Sequence, residues 1–283
     1  RTTANHNTKR KSTVDLYIYQ NSLSMTFLLS AAVAILATHS LQAQITITAD
    51  DMPVHGDTLR YSTASPTGSA SWAADSGANR TWNYELIATG QGLEDYKYPG
   101  EVNPLLLGFP PLLPGIAARY SYGTIIADSI PGLSLISSGI TIKDLRTYFS
   151  KFTSPSCFVA EAFSATITGF ALGTDYIQPD MWYHFPLTYG SMASNDFHLK
   201  FGAATVGNIE QKGTRSTRVD GWGTITTPYF TTPTPCIRVR SEIVEIDSVT
   251  FSGTTFGLPR TTIEYRWLVN GEHMPALYAS AIS

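Results

Sequence analysis

Near the C-terminal end of the chain, apolar and polar residues alternate with a period of two. Ile263, Tyr265, Trp267 and Val269 share one parity, and Thr262, Glu264 and Arg266 share the other. This is the pattern of a strand with one buried face. Ile237 and Val239 against Arg238 and Arg240 repeat it. The adjacent apolar pair Ile243 and Val244 then breaks the phase, which predicts a bulge or a bend between sheets. Weaker strand candidates cover residues 45–48, 81–84, 118–126, 135–148, 158–168, 181–187, 197–201 and 218–226. Turn signals separate them, including His55-Gly56-Asp57, Ser76-Gly77-Ala78-Asn79 and Asn270-Gly271. No long segment sustains a 3.6-residue apolar period, and Pro or Gly interrupts almost every stretch. The expectation is therefore an all-β chain, a single β-sandwich-like domain of mostly antiparallel short strands. Residues 104–114 place leucines and Phe109 among prolines, which suits neither a regular helix nor a central strand. They read as an apolar crossover over the sandwich edge, or as an exposed patch for a partner.

The N-terminal segment changes the domain picture. Residues 27–37 are an apolar run that gives way to His39, Ser40, Gln42 and the small residue Ala43. Its length suits the core of a secretory signal and is too short to span a bilayer of about 30 Å. Residues 25–43 read as a signal peptide, residues 1–24 as an upstream extension, and residues 44–283 as the secreted domain. Removing residues 1–43 takes Arg1, Lys9, Arg10, Lys11 and Asp15 from the 19 basic and 22 acidic residues, leaving 15 and 21, a net charge of −6. With no basic cluster left, nucleic acid is not an expected partner, and no membrane span is expected beyond the signal. Charged residues are 14% of the chain, against about 25% in typical soluble domains. In an exported chain the two cysteines, Cys157 and Cys236, predict one disulfide, since both precede strand candidates after proline-bearing loops.

Several phrases in order carry a resemblance. They are Ile45-Thr46-Ile47-Thr48-Ala49-Asp50-Asp51-Met52-Pro53, Gly77-Ala78-Asn79-Arg80-Thr81-Trp82, Phe185-Pro186-Leu187-Thr188-Tyr189-Gly190, and Val219-Asp220-Gly221-Trp222-Gly223. Ile237-Arg238-Val239-Arg240 and Glu264-Tyr265-Arg266-Trp267 complete the series. Together they resemble secreted β-rich proteins of the Bacteroidota that are cargo of the type IX secretion route. The resemblance implies an extracellular or outer-surface location and the secretion machinery as a partner. It also implies O-glycosylation at Asp-Ser/Thr-apolar triplets, here Thr58, Ser129 and Ser248, although ordinary turn and strand-edge polarity explains the same triplets. Members often end in a C-terminal sorting domain, which this sequence does not contain. The group brings no general activity with it.

The candidate chemistry is sparse. Asp50, Asp51, His55 and Asp57 are the densest set of oxygen and nitrogen ligands, yet they lack EF-hand spacing, and Asp beside Pro or Gly is ordinary turn chemistry. Asp180, His184, Asp196 and His198 lie close in sequence without a nucleophile elbow. Carboxylate pairs such as Glu94 with Asp95 or Glu242 with Glu245 carry glycosidase chemistry only at a set separation in space. No phosphate loop, zinc spacing or cofactor fingerprint occurs, so no cofactor is expected. Among the five tryptophans, Trp72 in a small-residue loop and Trp222, with Asp220 among glycines, are the candidates for stacking on a ligand. The reading that follows is a secreted or cell-surface protein with a binding or structural role towards glycans or other surface proteins. The alternative is an extracellular hydrolase acting on glycans.

Overall fold

The computed structural model describes residues 44–65, 74–102, 121–127, 142–167, 169–203, 207–251 and 254–282. In chain order its strands are β1 (Thr58–Ala64), β2 (Gly77–Asn83), β3 (Ala88–Asp95), β4 (Ser121–Ala127), β5 (Ile142–Thr153), β6 (Ser156–Ile167) and β7 (Phe170–His184). They continue with β8 (Met192–Ala203), β9 (Gly207–Thr226), β10 (Thr234–Phe251), β11 (Thr254–Leu268) and β12 (Leu277–Ile282). A short helix, α1 (Pro99–Val102), follows β3. No helix among the described residues is long and apolar enough to cross a membrane. The signal segment, the 104–114 crossover, Trp72 and Ser129 lie outside the described residues.

From β4 to β12 each strand pairs antiparallel with the next in sequence. β1 and β3 form a separate two-stranded sheet. β2 joins β9 in parallel, alongside Gly221–Thr226, beyond the point where β8 stops at Met192 opposite Arg218. The all-β, mostly antiparallel expectation holds. The strands are not short, however, since β9 runs 20 residues and β10 runs 18. The prolines inside β10 and β11 sit where a ladder neighbour is missing. Pro235 precedes the start of β11 pairing at Ile237 opposite Leu268, and Pro259 lies beyond the reach of β12, which pairs only from Thr262 onward. An edge position tolerates the lost N–H.

β7 is the corner of the sheet. Its pairing with β6 jumps from Asp175 opposite Ala162 to Asp180 opposite Ala160, so residues 176–179 bulge out. Its pairing with β8 is reduced to Gln178 opposite His198. Freed there, the strand end carrying Asp180, Trp182 and Tyr183 folds over β9–β11. Phe149, Phe158, Ala160 and Tyr183 pack against Val219, Ile237, Val239 and Leu268, with Ile47, Met52 and Leu187 closing the end. A second inner cluster holds Leu145, Phe163, Ala165, Leu199 and Phe201. On the opposite face of β9–β11 lies a third, made of Trp82, Ile225, Cys236, Tyr265, Trp267 and Val269.

The alternation in β11 is as read, but its polar side does not face water. Tyr265, Trp267 and Val269 fill the third cluster, while Glu264 and Arg266 point between the layers, where their side chains are 12% and 8% exposed. Arg215 donates from Nε and Nη2 to Asp180 at 2.8 and 2.7 Å and from Nη1 to Glu264 at 3.1 Å. Arg266 donates to the same Glu264 oxygen at 2.6 Å. The Trp182 ring lies 5.1 Å from the Arg215 guanidinium carbon and 4.5 Å from that of Arg266. The phase break expected at Ile243 and Val244 is absent. Ile243 stays on the inner face with Val239, and Val244 is 52% exposed on the outer face. The bulge lies instead in β9, where pairing steps from Val239 opposite Val219 to Arg238 opposite Gly221, leaving Asp220 as the extra residue.

The expected disulfide is also corrected, because Cys157 and Cys236 are both free and buried. Each follows the pleat opposite to a neighbour that faces the inner core, Phe158 and Ile237, so both thiols turn away from the space between the layers. β6 and β10 are moreover separated by β7, β8 and β9 in the sheet. Burial pushes both thiols up, as for small apolar core residues. Thiol titration of the unfolded, unreduced protein should find two reactive groups.

Acid should unfold this core through Glu264. Burial by itself raises that carboxyl, but the Arg266 and Arg215 guanidiniums outweigh it and hold it at about 2. A carboxyl depressed in the folded state stabilises above its ordinary value, and this contribution fades as pH falls from about 4.5 toward 2, on the order of 3 kcal/mol in all. Denaturant midpoints measured from pH 6 down to pH 2.5 should fall steeply for the native chain. The fall should be shallower for Glu264→Gln.

Candidate functional site

The structure disperses the sequence-predicted ligands into local roles. Thr48 and Asp51 cap a one-turn 3-10 helix, with Thr48 N–H donating to Asp51 Oδ2 at 2.8 Å. Asp51 also accepts the Gly271 N–H at 2.7 Å. His55 stacks on Tyr98 with centroids 3.9 Å apart and bonds Glu101 at 2.7 Å, while Asp57 bonds His273 at 2.7 Å. Asp50 is exposed at the turn. No group of three or more metal-ligating side chains forms among the described residues. The cluster acts as a clasp holding the N-terminal segment to the Asn270-Gly271 turn.

Asp220 is buried by its bulge and takes a two-point bond from Arg238, at 2.8 and 2.9 Å. That guanidinium is fully enclosed, 5.1 Å from the Tyr265 ring and 5.8 Å from the Trp267 ring. Trp222 packs partly buried against the inner core. Thr58 is exposed at the start of β1, and Ser248 is partly buried in β10. Asp180, Asp196, His184 and His198 do not assemble a triad. Asp180 serves Arg215, Asp196 accepts from Thr214 Oγ1 at 2.6 Å, and His198 bonds Glu210 at 2.8 Å. Glu242 is on the outer face with Arg240, whereas Glu245 is buried on the inner face. Glu245 and Asp247 share donors, since Gln211 Nε2 reaches both at 2.8 and 3.1 Å and Arg260 pairs with both. Burial, reinforced by the Asp247 charge, raises the Glu245 carboxyl despite Arg260.

The concavity that sequence reasoning missed lies on the outer face at the β7 corner. It has a volume of about 430 Å³ and is lined by Gln178, Asp196, His198, Lys212, Thr214, Val244 and Ile246, together with Phe197, Gly213 and Glu245. Cross-strand register explains its form. Asp196, Thr214 and Val244 make one row across β8–β10, and His198, Lys212 and Ile246 make the next. Between the rows, Phe197 and Glu245 turn their side chains inward and Gly213 has none, which leaves main chain as the floor of a trough. Gln178, opposite His198 at the single β7–β8 bridge, closes one end. Glu210 fixes one wall from outside, bonding His198 and Lys212 each at 2.8 Å. Those two partners, Lys212 first, hold its carboxyl below the ordinary range. The sequence signal was present as alternating outward polar residues in β8 and β9, but the corner that makes them concave depends on the β7 bulge.

Gly213 couples the trough to the core. A Cβ there would meet Val244 O at 2.6 Å and the Glu245 Cβ and Phe197 ring at 2.7 Å. Gly213→Ala should therefore lower stability by about 1–3 kcal/mol through overpacking, measurable as a lower denaturant midpoint. No family model, curated protein or solved structure matches this chain.

Proposed function

We propose that the chain is an exported, surface or extracellular binding module, and that the outer-face trough is where it meets a glycan. The observation that carries this reading is the division of labour between the faces. Asp180, Asp220 and Glu264 are each engaged by a buried arginine, whereas the trough offers an exposed carboxylate, amide, ammonium and hydroxyl beside two exposed apolar side chains. A volume of about 430 Å³ lies within the range of about 300–1,000 Å³ usual for small-ligand sites. The apolar run at residues 27–37 and the ordered phrases from Ile45 to Trp267 support export by the type IX route. Protein recovered from the native host should begin near Gln44.

One observation favours the hydrolase as a second reading. Oxygens of Glu245 and Asp247 converge on one donor, Gln211 Nε2, at 2.8 and 3.1 Å, a carboxylate pair of the kind glycosidases use, and Glu245 is the carboxyl raised toward an acid's role. Its burial beneath Arg260 speaks for the binding reading instead. Incubation with a panel of immobilised polysaccharides should retain the chain without releasing reducing ends. Asp196→Ala with Lys212→Ala should weaken retention about tenfold, as expected for two lost hydrogen bonds. Release of reducing ends that Glu245→Gln abolishes would establish the hydrolase in its place.

A further inference from the structure

The trough changes character along its length, and this narrows the class of glycan it takes. Resting on the binding reading above, we infer that it recognises N-acetylated amino sugars, with the acetamido methyl between Val244 and Ile246 and the ring hydroxyls along the polar end. Val244 and Ile246 are 52% and 53% exposed. They stand two residues apart on one face of β10, so their side chains are about 7 Å apart. That gap admits a methyl group. At the other end Asp196, its Oδ1 held by Thr214, is an acceptor for hydroxyl hydrogens. Gln178 adds an amide, and His198 and Lys212 present groups held in place by Glu210.

The distances suit one sugar residue. The polar row on β8 and the apolar pair on β10 are two strand spacings apart, about 10 Å, which is the span from the far hydroxyls of a hexose to the end of an acetamido arm. A plain hexose reaches the polar end but leaves Val244 and Ile246 uncovered. A purely apolar ligand would cover the Asp196 and Lys212 charges without offering them a hydrogen bond, which is costly. An acetamido sugar satisfies both ends at once.

Titration of the full chain by calorimetry with chitotetraose and with cellotetraose isolates the acetamido group, because the two share their linkage and differ only at C2. The expected result is at least tenfold tighter binding of chitotetraose. The double variant Val244→Ser and Ile246→Ser should lose that preference and leave cellotetraose binding unchanged. Both side chains are half exposed, so the melting temperature should stay near that of the parent chain. A scale of about 0.8 kcal/mol per buried methyl-sized group gives a factor of about four for each contact. Equal affinity for the two sugars, or a preference that survives the double variant, overturns the inference and leaves the binding reading standing. Failure of chitotetraose to bind while other polysaccharides retain the chain does the same. Failure of every polysaccharide overturns both.

Discussion

Arg215 is the residue on which the layered arrangement turns. It rises from the inner face of β9, reaches Asp180 on the returning end of β7 and Glu264 on β11, and lies against the Trp182 ring. Moving a carboxylate and a guanidinium out of water costs several kcal/mol per ion even after relaxation. The layers can therefore close only if these groups meet in good geometry. They do, since Asp180 is gripped at two points and Glu264 is shared by two guanidiniums and the Tyr278 hydroxyl at 3.1 Å. Such a network is a poor source of net stability compared with an apolar core of the same volume. Its effect is selective, because a β7 end displaced by one residue would bury the same charges without partners.

A second arginine does the same on the other side of the sheet. At the end of β9–β11 bordered by β2, both faces are covered, the inner by the first core and the outer by Trp82, Tyr265 and Trp267. Pleat alternation alone would leave Arg238 buried with nothing to bond. The extra residue in β9 brings Asp220 beside it. Beyond the bulge, β2 approaches so closely that a Cβ on Gly223 would lie 1.8 Å from Arg80 O. The run Asp220-Gly221-Trp222-Gly223 thus reads as bulge, partner and close approach, which explains the phrase without a ligand.

What could be read from the chain, and what could not, follows from these two arginines. Alternation in β10 and β11 was legible because the pleat imposes it whatever covers each face. The assignment of Glu264 and Arg266 to solvent failed because period-two patterning separates faces and says nothing about which face is wet. Strand lengths were misread because Pro179, Pro235 and Pro259 sit where a neighbour is missing, and a local rule cannot see the neighbour. The cysteines suggested a bond from strand-entry position and compartment, whereas the pleat directions that separate them depend on Phe158 and Ile237 facing the core. Asp51, His55 and Asp57 looked like ligands because they are close in sequence. Their partners, Gly271, Glu101 and His273, are distant in the chain and draw them apart.

The same strands explain why the surface has polar groups to spare. Along β8 and β9 the outward residues pair across strands, Ser194 with Ser216 at 3.0 Å and Asp196 with Thr214 at 2.6 Å, while the inward ones supply Phe197, Leu199 and Arg215 to the interior. Gly213 is the crossing point, because the absence of its side chain lets the Phe197 ring and Glu245 meet beneath the trough. A bulky residue there would push these groups apart and spread the two rows above them. The shape of the outer concavity is therefore set from the inside, by packing at one glycine and by the bulge that bends β7. Its chemistry is carried by outward side chains, Asp196 with Thr214 and His198 and Lys212 with Glu210, which bond across the strands rather than to the core.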